Sequence, residues 1–234
     1  MAHKVFELDN IGTVYVYKRR GAKNMRLSVN SDGKIRVSMP TWLPYQAGLT
    51  FAQQKRDWLA TQSQREVFKN DQRIGKYHTL RLISKSEILN TKTRLLDTEA
   101  IVYYGAAATE SQIQTAAHDV AKRAAKAEAE QLLPQRLKTL ANQYDFSYNA
   151  LSVRHLKSRW GSCSSKHDIT LNYYLMQLPW ELIDYVLVHE LAHTRHLNHS
   201  SAFWATVEAC LLDYKKRRQQ LKHFQPSLLP VKSA

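Results

Sequence analysis

Residues 187–204 read Leu-Val-His-Glu-Leu-Ala-His-Thr-Arg-His-Leu-Asn-His-Ser-Ser-Ala-Phe-Trp. Within them, His189-Glu190-Leu191-Ala192-His193 lies in an apolar segment, and this constrains the fold more than any other feature. Pro179 and Trp180 open the segment, and Pro fits the first turn of a helix. Glu181 and Asp184 put acids near the positive N-terminal end. Leu182, Ile183, Val186, Leu187 and Leu191 are apolar positions enough to bury a helix in a core. That helix must then bury two His and a Glu along one edge. Buried ionisable groups need partners, and a metal ion is one.

At about 100° per residue, His189 and His193 sit roughly 40° apart on one face, a turn from each other. Two imidazoles so placed converge on one ion. Zinc takes neutral imidazole nitrogens, and a catalytic site uses three protein ligands and a water. Glu190 then points beside the metal, where it can take a proton from the activated water and pass it to the leaving amine. Three residues compete to be the third ligand. His199 leads, because Leu197-Asn198 offers a place for the chain to leave the helix and turn back. Glu208, on a helix expected over 202–212, comes second. His196 comes third, since it lies about 10.5 Å of helix rise from His189.

Further motifs occur in order along the chain. They are Lys157-Ser158-Arg159-Trp160-Gly161-Ser162-Cys163-Ser164, Ile169-Thr170-Leu171-Asn172, residues 183–193, Asn198-His199-Ser200 and Phe203-Trp204. Together they resemble the YgjP-like metallopeptidases, which are related to the SprT-like proteases. The close resemblance covers about residues 150–220. It implies a gluzincin-like minimal zinc peptidase domain with one Zn2+ per chain. It also implies His189, His193 and His199 as ligands and Glu190 as the catalytic acid/base. SprT-like proteases cut DNA-bound proteins, so the resemblance hints at a nucleic-acid setting. Where some extended motifs have Gly three residues after the second ligand, this chain has His196, so the turn falls to Leu197-Asn198.

Composition bounds the rest. The 234 residues, 44% hydrophobic and 23% charged, are ordinary for a folded protein. Two cysteines, Cys163 and Cys210, do not make a disulfide framework, and a reducing cytoplasm is expected. Cys163 suits small-residue packing better than a role as fourth ligand or nucleophile. The start of the chain carries no apolar signal region, and no run reaches the ~18 apolar residues of a membrane span. A net charge of +14 attracts polyanions, with Lys18-Arg19-Arg20, Lys23 and Arg26 in one region and Lys215-Lys216-Arg217-Arg218 in another.

The expected fold is α+β: a basic, β-rich N-terminal module with one helix (1–104), a helical zincin-like peptidase domain with a small sheet (105–223), and a loose tail (224–234). Strands are expected at 14–17, 27–29, 35–37, 79–83, near 87–90, and at 101–104, 151–156 and 169–174. The Asn30-Ser31-Asp32-Gly33 turn signals a hairpin. Helices are expected over 44–69 and 110–142, the second divided or kinked at Pro134. Trp160-Gly161-Ser162 reads as a turn, and 169–174 as an edge strand able to take up an extended peptide. Tyr214, Tyr173 or Tyr174 could donate to an oxyanion, Asn172 could orient a ligand or a loop, and His167 could do either. The expected function is that of a zinc endopeptidase on protein or peptide substrates. The competing reading is a nucleic-acid-associated protein with a structural or vestigial zinc.

Overall fold

The computed structural model describes residues 3–8, 12–29, 35–56, 59, 67–224 and 226. The chain divides into two compact units, Met1–Glu66 and Val67–Ala234. The division falls in sequence well before residue 104, where the sequence reading drew its line.

In the first unit, strands β1 (His3–Leu8), β2 (Gly12–Arg19), β3 (Arg26–Val29) and β4 (Ile35–Pro40) form a sheet in the order β1-β2-β4-β3. β2 and β4 are parallel and the other pairs antiparallel. Alternation sends Val14, Val16, Ile35, Val37 and Met39 to one face, where all are buried. Helix α1 (Tyr45–Gln54) covers that face so closely that a Cβ on Gly48 would stand 2.9 Å from Val16 Cγ1. The antiparallel β3–β4 pair agrees with the expected hairpin, whose Asn30–Gly33 turn lies outside the described residues. Most of the helix expected beyond Lys55 and nearly all of the tail also lie outside them, while residues 67–69, the end of that expected helix, are described and are not helical.

The second unit begins with strands β5 (Arg73–Ile74), β6 (His78–Ser84), β7 (Lys92–Leu95) and β8 (Glu99–Tyr104), in the order β5-β6-β8-β7. The strand expected near 87–90 is thus formed a few residues later, where Thr93 and Leu95 pair with Val102 and Ala100. Helix α2 (Glu110–Gln143) follows, opened by a capping box between Thr109 and Gln112. It is one helix through Pro134, not two. Pro134 removes one backbone hydrogen bond, but Leu133 and Leu137 are fully buried beside it, so packing outweighs the local preference. A stripe of Ala116, Ala117, Ala121, Ala124, Ala125 and Ala129 lets neighbours approach α2 closely. β7 and β8 lie against it, as do the parts that carry the site.

Those parts are β9 (Ala150–Arg154), β10 (Gly161–Cys163), β11 (Asp168–Asn172), a 3₁₀ turn (Tyr173–Gln177), and helices α3 (Trp180–Ala192), α4 (Ser201–Cys210) and α5 (Tyr214–Leu221). Two expectations are corrected here. Gly161-Ser162 is strand, not turn, pairing with Leu171 and Thr170. β11 is the central strand of the order β10-β11-β9, bonded on both sides, so it is no edge for a peptide. Its near-continuous burial over Ile169–Asn172 is that of a central strand, and alternation alone does not reveal this.

Two polar clasps fix α3. Arg136 on α2 donates from Nε and Nη2 to both oxygens of Asp184, at 2.7 and 2.6 Å. Glu128, also on α2 and almost fully buried, accepts from the backbone N–H groups of Lys76, Tyr77 and His78 and bonds the His78 ring. Gly75 has φ +64, and any side chain there would collide with that carboxylate. The same turn sends Lys76 Nζ to the Leu178 carbonyl and over the Trp180 ring, at the start of α3.

Candidate metal centre

α3 is apolar almost all round, with Leu182, Ile183, Val186, Leu187, Val188 and Leu191 buried. His189, Glu190 and His193 occupy its C-terminal end. The helix closes at Ala192, with His193 as C-cap in a right-handed conformation (φ −67, ψ −17), so the one-turn spacing of the two His is kept. The exit comes earlier than Leu197-Asn198. Thr194 Oγ1 donates to the Leu191 carbonyl at 2.8 Å, and the backbone of 194–196 folds back on Leu191 and Ala192. No residue from 193 to 199 has positive φ, so the turn needs neither Gly nor a left-handed Asn198.

This turn brings His199 back. One ligand atom from each of His189, His193 and His199 lies within 4.8 Å of the others. His189 Nε2 and His199 Nε2 are 3.1 Å apart. Two nitrogens bound tetrahedrally to one zinc stand about 3.3 Å apart, so the pair already has the spacing an ion requires. His193 Nδ1 faces the His196 carbonyl at 3.0 Å, which directs its Nε2 away as the unshared donor. Burial first, then His193, His199 and the Arg218 charge, lowers the His189 pKa to about 3. A neutral three-nitrogen set of this kind suits zinc. His189 Nδ1 is buried without a hydrogen-bond partner among the described residues. Phe203 packs beneath the trio, its ring 4.6–5.0 Å from all three imidazoles.

The other candidates for third ligand point elsewhere. His196 Nε2 meets Thr206 Oγ1 at 3.0 Å, and Glu208 pairs with Lys215 at 3.4 Å. Cys163 is not among the converging groups, and burial, with the Glu190 and Asp168 charges, pushes its thiol up to about 11.

Glu190 is buried beside the trio, and burial pushes its carboxyl up to about 8, with the Arg159 charge opposing. Its side chain lies against Gly161 of β10. A Cβ on Gly161 would stand 2.7 Å from both Glu190 Cγ and Oε1. Gly161 therefore makes room for the carboxylate, a role the motif alone does not disclose.

The supporting residues divide. Asn172 Nδ2 donates to the carbonyls of Leu156 and Arg159, at 2.8 and 2.9 Å, and Oδ1 accepts from Tyr174 N. It orients the loop before β10 and has no hydrogen left for an oxyanion. Tyr214 is buried and stacks on Trp204 at 5.5 Å, and Trp204 stacks on His199 at 5.6 Å. Tyr173 packs on His155 and Tyr174, and its hydroxyl is buried without a partner among the described residues. His167 sits at φ +61 in the β10–β11 turn. Tyr185 was not singled out from the sequence. It is buried one turn before His189, ring centroids 6.0 Å apart, and burial pushes its hydroxyl up to about 12. Its spacing of four from His189 was the available signal.

The metallopeptidase zymogen of Pyrococcus abyssi abylysin aligns at 26% identity over 39% of this chain and 93% of that one, with a TM-score of 0.36. The zymogen of Methanocaldococcus jannaschii jannalysin aligns at 18% identity over 38% and 93%, with a TM-score of 0.34. No curated protein matches the chain. The profile of the family described as YgjP-like, metallopeptidase domain, matches residues 23–224. That span includes the three converging imidazoles, Glu190 and the glycine that accommodates it, and the chain belongs to the YgjP-like metallopeptidase family.

Proposed function

We propose that the protein is a zinc endopeptidase that hydrolyses peptide bonds with a water activated by Glu190. The observation that carries this is the convergence of His189, His193 and His199 beside a buried carboxylate. These three imidazoles would hold one zinc per chain. Bound there, zinc supplies a Lewis acid that polarises the scissile carbonyl and makes water acidic enough to ionise near neutral pH. Glu190 takes the proton from the attacking water and returns it to the leaving amine. A carboxyl held near neutrality by burial serves both transfers. The apolar Phe203 ring, fully buried beneath the three imidazoles, lowers the local dielectric and strengthens each electrostatic contact. β10, the edge strand against Glu190, takes the place of β11 as the strand along which an extended substrate pairs. The free thiols Cys163 and Cys210 fit a reducing cytoplasm, and no described helix is long and apolar enough to cross a membrane.

Metal content and proteolysis test this together. Glu190→Gln should keep one zinc per chain and lose activity. His199→Ala should lose zinc affinity, while Glu208→Ala and His196→Ala keep it. Activity in Glu190→Gln would remove the acid/base assignment.

A second reading, contact with nucleic acid, draws support from the first unit. The sheet face opposite its core carries Tyr15, Tyr17 and Arg36, with Arg36 Cζ 4.1 Å over the Tyr17 ring and exposed Arg26 beside it. Aromatic and basic side chains on one sheet face suit single strands. Affinity for an oligonucleotide should fall steeply with salt and weaken in Arg36→Ala with Arg26→Ala. Salt-insensitive or unaltered binding would reject this face.

A further inference from the structure

Two guanidinium groups border the centre with no role in the chemistry above. Arg218 comes from α5, one turn after Tyr214. Its Cζ lies 4.4 Å over the Trp204 ring, whose plane stacks on His199 at 5.6 Å and 24°. Arg159 lies two residues before Gly161, the residue that abuts Glu190, and its carbonyl is held by Asn172. Both side chains are exposed.

Their neighbours on the basic run are occupied. Lys215 pairs with Glu208, and Arg217 pairs with Asp213 and donates to the Glu181 carbonyl. Among the described residues, neither the Arg218 nor the Arg159 guanidinium has an ion pair or hydrogen bond. Stacking engages only the face of a guanidinium. Its five N–H groups lie in the plane and stay free to grip an oxyanion as a fork. Two uncompensated cations next to a site that must hold a dication weaken metal binding by repulsion. An anion arriving with the substrate removes that penalty, and a neutral one does not.

We propose that Arg218 and Arg159 recognise an oxyanion on the substrate beside the scissile bond, carboxylate or phosphate, so that the peptidase selects acidic peptides. The proposal rests on the peptidase reading for its substrate class. Arg218 orients the group from the ligand side and Arg159 from the side of Glu190.

Binding tests it without turnover. Four peptides identical except for Asp, phosphoserine, Ser or Lys at one position are titrated into full-length, zinc-loaded Glu190→Gln, read by tryptophan fluorescence. An anionic peptide should bind roughly tenfold more tightly than the Ser peptide, as a charge-assisted fork allows. The advantage should shrink with salt. Asp ahead of phosphoserine assigns a carboxylate, and the reverse order a phosphate. Adding Arg218→Glu should reverse the ranking towards Lys, which loss of a packing contact cannot do. Adding Arg218→Gln should bring the ratio towards one, and zinc content checks that both variants fold. Equal binding of all four, or a ranking unchanged in both Arg218 variants, overturns the proposal. If wild type cleaves the peptides without such a preference, the peptidase reading survives alone. If the preference holds but wild type cleaves none, the anion clamp survives and the peptidase reading falls.

Discussion

Gly161 lacks a side chain where Glu190 needs the space, and this pair shows how single residues set the centre. Gly161→Ala would press a methyl group to within 2.7 Å of the carboxylate and its Cγ. Backbone pairing with Leu171 holds Gly161 in place, so Glu190 must move. Misplacing a catalytic group by about 1 Å costs on the order of a hundredfold. Gly161→Ala should therefore lose about that much kcat/KM while keeping its zinc. Loss of zinc along with activity would mean that the strand, rather than Glu190, had shifted. The pairing of His189 with His193 and the place of Glu190 between them were legible from spacing, because one helical turn is local geometry. Gly161 was not, because its contact with Glu190 spans two elements.

At the scale of elements, α3 is held from α2 through the turn between β5 and β6. Burial raises the Glu128 carboxyl, but its hydrogen bonds from His78, Lys76 and Tyr77 outweigh burial and hold it below its ordinary value of 4.5. A carboxyl depressed on folding stabilises the fold above its unfolded pKa, and that stability is lost as pH falls through the folded value. Glu128→Gln should cost about 3 kcal/mol at pH 7, as expected for removing one partner from a buried charged network. The difference from wild type should narrow below pH 4.5. Denaturant melts at pH 7 and pH 3.5 check this, and a constant difference would show that Glu128 contributes packing, not charge. The clasp was not legible in the sequence, since Glu128 reads as one acid among many on a polar helix.

For the whole molecule, two cores are distinct. One gathers Val14, Val16, Ile35, Val37, Met39 and Leu59; the other surrounds α2 and α3. The three imidazoles lie entirely in the second unit. Zinc at a hundredfold excess over its Kd should stabilise that unit by about 2.7 kcal/mol, raising its transition by roughly 5–10 °C. Calorimetry should show the other transition unmoved. One transition shifting as a whole would mean that the units melt together. Because zinc needs neutral imidazoles, the shift should disappear in acid.

The sequence by itself determined the apolar helix over 180–192, the one-turn His pair on it, the acid between them, the long Ala-rich helix and most strands. Each of these follows from periodicity or short spacing, which are properties of neighbouring residues. Only the tertiary structure decided that β11 is central and β10 the edge, because pairing partners are distant in sequence. It alone carried α2 through Pro134, by burying Leu133 and Leu137 on either side of the break that local preference favours. It separated His199 from Glu208 and His196, since the three differ in where the chain returns and not in chemistry. It also stacked Arg218 over Trp204 beside His199 while pairing off Lys215 and Arg217. A run of like charges carries no record of which members find partners, because that depends on the surfaces packed around it.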